Sequence, residues 1–402
     1  MLMKRRHFLI GTTAALAAGA GAMSWSGRLF AASADGPRLL VVFLRGGYDC
    51  NNLLVPYASD FYYEARPTLA IARPAADDAA SAIDLDGHWG LAPGVRDSLL
   101  PLWQRRQLAF VPFAGTDDLS RSHFETQDDI ESGQASGPAH DYRSGFLARL
   151  SAELTGVPAI AFTDSLPLSF QGGHDIPNLS LRGNPKASFD TRQSGILAQM
   201  YQGTPLASAA HDGLQLRQQV SAELQEEMMR ASRGAASAGS FAETTRRMAT
   251  MMRERYRLGF VDVGGWDTHV GQGSSDGPLA NNLKNLGQGL AAYADALGPA
   301  WHDTVVVVLS EFGRTFRENG DKGTDHGHGT VYWVLGGRVR GGRIAGEQVD
   351  VAQARLLQDR DYPVLNNYRS LLGGLASRLW GLDAARLGRV FPGARPADLQ
   401  LV

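Results

Sequence analysis

Cysteine is almost missing: Cys50 is the only one in 402 residues, so no internal disulfide can form. Long apolar runs are missing as well. Past the N-terminus nothing approaches the roughly 20 residues that cross a bilayer, which excludes a stable membrane span there. Nor is there an excess of charge of one sign. The chain has 39 Lys and Arg against 41 Asp and Glu, a formal −2, and so offers no electrostatic footprint for nucleic acid or anionic membrane. It has no glycine-rich phosphate loop ending in Lys, and neither GxGxxG nor a GxSxG elbow directly after a strand. Nucleotide kinase, dehydrogenase and α/β-hydrolase readings lose ground accordingly. There is no internal repeat and no linker long enough to demand a second domain.

The N-terminus reads as a leader. It begins MLMKRRHFLIGTTAALAAGAGA, a charged start followed by a weakly apolar Ala/Gly run, with Ala32-Ser33-Ala34 as a small-residue cleavage site. The run is too short and small-sided to be a good membrane span and reads as a signal peptide over 1–34. Arg5-Arg6-His7-Phe8-Leu9 resembles a twin-arginine signal, against the plainer reading of an ordinary secretory signal or an anchor. The Tat translocase is therefore an expected partner, and the mature protein is expected to be periplasmic or secreted. Cleavage after residue 34 leaves 35–402 as a single domain. Lys4, Arg5, Arg6 and Arg28 go with the leader, so 39 against 41 becomes 35 against 41, a mildly acidic mature chain.

The mature chain is organised around TVVVVLSEFGRTFRENGDKGTDHGHGTVYWVLGG, Thr304 to Gly337. Val305 to Leu309 is apolar on both faces, which suits a strand buried in a sheet with helices on both sides. It stops at Ser310-Glu311, so a carboxylate sits just past the strand's end. A polar, Gly-rich loop holding Asp325, His326 and His328 follows, and then a second apolar run, Val331 to Leu335. Further strands are expected at Leu39–Leu44, Leu108–Phe113, Pro158–Phe162 and Phe260–Val263. Helices are expected over about 94–105, 214–231, 241–257, 283–297 and 366–380, with Met248 and Met252 packing in the core. Residues 57–90 and 170–190 read as loops. Alternation of strands and helices gives an α/β fold with a mostly parallel sheet. Ligand sites of such sheets lie outside the carboxyl ends of the strands.

Three strand ends carry carboxylates: Asp49 after Gly46-Gly47-Tyr48, Asp267 after Gly264-Gly265-Trp266, and Glu311. His269, His326 and His328 lie beside them or in the loop before the next strand. Imidazole with carboxylate suits Zn²⁺ or Mn²⁺, and carboxylate-rich sites also suit Mg²⁺ or Ca²⁺. Asp49, Asp267, His269, Glu311, Asp325, His326 and His328 exceed the needs of one tetrahedral ion. Two ions about 3.5–4 Å apart would use them and clamp both oxygens of a phosphoryl-type transfer. Taken singly, DHGHG reads as a solvated turn and the aspartates as helix caps. Three motifs at three strand ends make that coincidence harder to accept.

Ser122-His123-Phe124-Glu125 matches a capping box, so Ser122 is expected to start a helix. The same placement puts its hydroxyl at a helix N-terminus, which favours an anion. Cap and nucleophile both stay open, with His123 a base or a second ligand. His174 reads as a turn residue. Cys50 lacks the Pro and Arg that should follow the modified cysteine of sulfatases.

The segments FLRGGYDCNNLLVPY, RSHFETQD, GGWDTH and the block from Ser310 to Gly337 resemble the bacterial family called domain of unknown function 1501. The resemblance covers nearly the whole chain. It implies the alkaline phosphatase/sulfatase-like superfamily: a three-layer α/β/α sandwich with a two-metal site of strand-end ligands. It implies Asp49 as the ligand after the first strand and Glu311 in the place of an Asp of an Asp-His pair. Asp267 and His269 resemble the middle ligands, and His326 or His328 the late histidine. Phe312 stands where the superfamily often has His, so one ligand must come from the later loop. Ser122 matches the nucleophile by order along the chain, and Arg121 or Arg314 would hold the anionic oxygens. The expected activity is metal-dependent hydrolysis of phosphate or sulfate esters, on a small-molecule or glycan anionic substrate. A non-catalytic exported protein that binds a metal, glycan or partner, or a phosphonate- or carbohydrate-processing enzyme, stands beside it.

Overall fold

Apolar β-branched runs bounded by glycine turns form the strands of the central sheet. The computed structural model describes residues 36–137, 141–180, 200–204, 207 and 241–402. The expected leader with Arg5-Arg6, the helix over 214–231 and the end of the 170–190 loop lie outside these residues. In chain order the strands are β1 (Arg38–Leu44), β2 (Leu54–Val55), β3 (Ile83–Asp84), β4 (Gly90–Leu91), β5 (Leu108–Gly115), β6 (Ala159–Phe162), β7 (Leu258–Val263), β8 (Thr304–Ser310), β9 (Thr330–Leu335), β10 (Arg343–Ile344) and β11 (Asn366–Asn367). The main sheet has the order β10-β5-β9-β8-β1-β7-β6, with β11 also on β5, and β2, β4 and β3 make a small second sheet. Among the described residues only β9 is antiparallel to its neighbours in the main sheet. The other pairings there are parallel.

Successive strand side chains point to opposite faces, and each face has its own core. Leu40, Val42, Leu44, Val306 and Val308 pack with Leu99, Met248, Met252, Leu286 and Leu290 from the helices Arg96–Gln104, Phe241–Glu254 and Pro278–Leu297. Leu39, Val41, Phe43, Val305 and Val307 pack with Phe146, Leu150, Leu371, Leu375 and Leu387 from Phe146–Glu153, Tyr368–Trp380 and Ala384–Val390. The result is a three-layer α/β/α sandwich. Residues 57–90 are less loop-like than expected, since Asp60–Ala65 forms a short helix capped by Ser59. Among the described residues no helix is long and apolar enough to cross a membrane.

Register places the site. Leu44 on β1 is level with Val263 on β7 and with Ser310 on β8. Arg45-Gly46, Gly264-Gly265 and Glu311 therefore leave the sheet side by side at one edge. Because β9 runs back antiparallel, the 311–329 loop lies at that edge too.

Candidate metal centre

Two glycines let the turns close on one another. Gly46 has φ +123°, and a Cβ on it would stand 2.8 Å from the Asp267 backbone nitrogen. Gly47, with φ +61°, would drive a Cβ to 2.5 Å from the Phe312 ring. The 311–329 loop folds onto itself, with Arg314 and His326 facing in an antiparallel bridge. Gly313 N–H donates to the His328 carbonyl and Gly327 N–H to the Gly313 carbonyl, both at 2.9 Å. This closure sets His326 beside Arg314, under the Asp267 turn.

Three histidines converge on one carboxylate oxygen. The Nε2 atoms of His269, His326 and His123 lie 2.9, 3.2 and 3.6 Å from Asp267 Oδ1. One ligand atom each from His123, Asp267 and His326 fall within 4.8 Å of one another. Each ring is anchored by its other nitrogen. His123 Nδ1 meets Glu311 Oε1 at 2.8 Å, His326 Nδ1 the Arg121 carbonyl at 3.0 Å, and His269 Nδ1 Asp325 Oδ1 at 3.3 Å. An ionised carboxylate or a carbonyl can only accept, so each Nδ1 donates and each ring turns its Nε2 inward. Phe312 lies against both the His123 and His326 rings, at centroid distances of 4.8 and 5.1 Å.

The donor set suits a cation. The His269 and His326 Nε2 atoms are 3.1 Å apart, and facing lone pairs repel unless a proton or metal lies between them. His123 Nε2 is buried without a hydrogen-bond partner among the described residues. Imidazole ligands steered by an outer carboxylate or carbonyl are the usual construction of zinc-type sites. The Glu311 hydrogen bond raises the His123 pKa, outweighing burial. Burial, with the charges of His123 and Arg314, lowers that of His326. Burial would raise the Asp267 pKa, but Arg314 more than offsets it and holds the carboxyl below its usual range.

The structure brings together His123, Asp267, His269 and His326, with Glu311, Asp325 and Arg314 behind them. Four expected ligands do not point into the convergence: Asp49 and His328 lie elsewhere, and Glu311 and Asp325 stand behind the histidines. Asp49 is fully buried in a forked ion pair with Arg66, at 2.5 and 3.0 Å, and also accepts from Gln272 Nε2 at 2.5 Å. Its oxygens are occupied by protein donors. Glu311 is also buried and accepts from Gly46 N–H, Gln127 Nε2 and Ser310 Oγ besides His123. Its contact with the cluster is the hydrogen bond to His123, as that of Asp325 is to His269. His328 is buried facing Asp118 and Arg121, and burial pushes its pKa down to about 4.

The expected catalytic residues divide similarly. Ser122 takes the N-cap position of His123–Ser132, but its hydroxyl does not cap. Neither side-chain bond of the expected capping box is present among the described residues, and the Ser122 N–H donates to Ser120 Oγ instead. Arg121 pairs with Asp361 at 2.6 Å and donates to Gln358, so its guanidinium is engaged by those partners. Arg314 donates to four backbone carbonyls and to Asp267, leaving none of its donors for a substrate. Gln127 is the residue sequence reasoning missed. It lies one helical turn after His123, on the same face, and both reach Glu311 Oε1. That i,i+4 spacing was the available signal.

A family model described as "Protein of unknown function (DUF1501)" matches residues 37–391. Among curated proteins none matches the chain by sequence. Among solved structures, the chain is similar to the lipoteichoic acid synthase LtaP from Listeria monocytogenes, at 8% identity over 92% of this chain and 77% of that one, TM-score 0.39. It is similar to the C-terminal periplasmic domain of EptC from Escherichia coli in complex with Zn, at 10% identity over 75% and 73%, TM-score 0.33. It is also similar to a protein in the alkaline phosphatase superfamily from Vibrio parahaemolyticus, at 11% identity over 75% and 60%, TM-score 0.32. With similarity this distant, the reading of the centre rests on this chain's own residues.

Proposed function

The chain belongs to the DUF1501 family, and from that premise we propose that it is an exported, metal-dependent hydrolase of phosphate or sulfate esters. One observation carries the reading: three imidazoles, each anchored through Nδ1, aim Nε2 at Asp267 Oδ1. His123, His326 and Asp267 would hold the ion, with His269 as the further donor, a nitrogen-rich set that favours Zn²⁺ or Mn²⁺ over Mg²⁺ or Ca²⁺. The bound ion supplies Lewis-acid polarisation of the ester oxygens.

The chain supplies the rest. Ser122 leaves the helix His123–Ser132 uncapped, and among the described residues the N–H groups of His123, Phe124 and Glu125 have no hydrogen-bond partner. They form an anion-binding helix end beside the cluster. The Ser122 hydroxyl is free of hydrogen bonds among the described residues, which leaves it available as the nucleophile. Its attack on phosphorus or sulfur would release the alcohol, which takes the serine proton, and water would then free the serine. Export through the twin-arginine route is part of the reading, supported by Arg5-Arg6 and Ala32-Ser33-Ala34.

Aryl phosphates and aryl sulfates offered to the metal-loaded mature chain test it. Turnover should appear, vanish with chelator and return with Zn²⁺ or Mn²⁺. Ser122→Ala should abolish it while keeping fold and metal. Metal-dependent turnover that survives Ser122→Ala would give the attack to water. A metal-loaded protein inert on both ester classes would instead support a non-catalytic binding protein.

A further inference from the structure

Asp267 already has a permanent cation. The Arg314 side chain is fully enclosed. Its Nε donates to the Gly47 carbonyl at 2.5 Å, Nη1 to the Thr324 carbonyl at 3.0 Å, and Nη2 to the Gly46 and Trp266 carbonyls at 2.7 and 3.2 Å. Nη2 also bonds Asp267 Oδ1, and Nη1 lies 3.4 Å from His269 Nε2. These carbonyls come from three separate turns, so the planar fork cannot swing away, and a guanidinium does not lose its proton.

We propose that the centre takes one divalent ion, with Arg314 as its built-in second cation; this rests on the metal reading above. A further observation supports it. The other strand-end aspartate, Asp49, offers no alternative place for a second ion, because Arg66 already holds it in a pair with both side chains wholly buried. At both glycine-aspartate turns, then, an arginine stands where an ion could.

The experiment is the metal content of the full mature chain, by mass spectrometry, after saturation with Zn²⁺ or Mn²⁺ and removal of unbound ion. One ion per chain is expected in the wild type and in Arg314→Lys, which keeps the charge. Arg314→Gln removes it and should approach two. Two ions in the wild type, or one in a folded Arg314→Gln, overturns the proposal. A wild type that binds none refutes the metal reading instead. If Arg314→Gln does not fold, the wild-type count decides.

Discussion

The chain places the same sequence pattern, two glycines, an aromatic and an aspartate, after two neighbouring strands and uses it in opposite ways. Gly46-Gly47-Tyr48-Asp49 follows β1, and Gly264-Gly265-Trp266-Asp267 follows its neighbour β7. The aromatics are both buried and meet edge-on at 6.0 Å. Asp49 is sealed under Arg66, whereas the Asp267 side chain is 46% exposed and faces three imidazoles. A strand end delivers a carboxylate to the edge of the sheet but does not choose its partner. Arg66, the C-terminal cap residue of the short helix Asp60–Ala65, closes over the first aspartate. Arg314 lies beneath the second and leaves its outer side to His123, His269 and His326. One turn is a structural pin; the other is, in the reading proposed above, the ligand site.

The two are wired together. Gln272 donates to Asp49 and accepts from Thr268 and Thr324, which flank His269 and Asp325. The buried pair thus steadies the loops that carry the open cluster.

The largest expected effect breaks the pin. Asp49→Ala leaves a wholly buried Arg66 unpaired and should cost about 3–5 kcal/mol in urea unfolding. The fraction that folds should still retain metal, because Asp49 is not a ligand in this account. A folded Asp49→Ala that loses its metal would erase the distinction between the two turns.

The next contrast is within the DHGHG loop, in metal-free protein. Burial lowers the His328 pKa to about 4, against roughly 6.5 when unfolded. Above pH 6.5 both states are neutral there and the group contributes nothing. As pH falls from 6.5 through 4 the unfolded state takes up a proton that the folded state refuses, so stability falls, by up to about 3 kcal/mol. His328→Gln should flatten that part of the urea-midpoint profile and leave metal content unchanged. Loss of metal would return His328 to the ligand set.

Asp267→Ala breaks the other side of the comparison. It should abolish metal retention and with it the gain in stability on loading, about 2.7 kcal/mol at a free metal concentration 100 times Kd. The smallest effect is expected from Gln127→Leu, which removes one donor from Glu311 and loosens the anchor of His123. Metal affinity should fall about tenfold or somewhat more, with little change in the metal-free urea midpoint. An unchanged affinity would reduce Gln127 to a packing residue.

Much of this was legible in the sequence. Val305–Leu309 and Leu39–Leu44 announce buried strands by their unbroken apolar runs, and a carboxylate after each strand end points to the edge of the sheet. Asp267, His269 and His326 could be read as candidates from that alone. The fate of Asp49 could not, because Arg66 arrives from a Pro-containing stretch that reads as loop, and no local spacing announces a non-local ion pair. His326 and His328 are equivalent in sequence. They separate only when Gly313 and Gly327 close the loop against Arg314, a tertiary event without a periodic signature. Ser122 and Glu125 have the spacing of a capping box, yet the serine hydroxyl does not cap.

The central claim is that the Asp267 turn, and not the Asp49 turn, holds the ion. Anomalous scattering from a crystal of the mature chain grown with Zn²⁺ tests it most directly. The account predicts one peak within about 2.0–2.2 Å of His123 Nε2, His326 Nε2 and an Asp267 oxygen, with Arg66 still on Asp49. A peak bonded to Asp49, with Arg66 displaced, would contradict it.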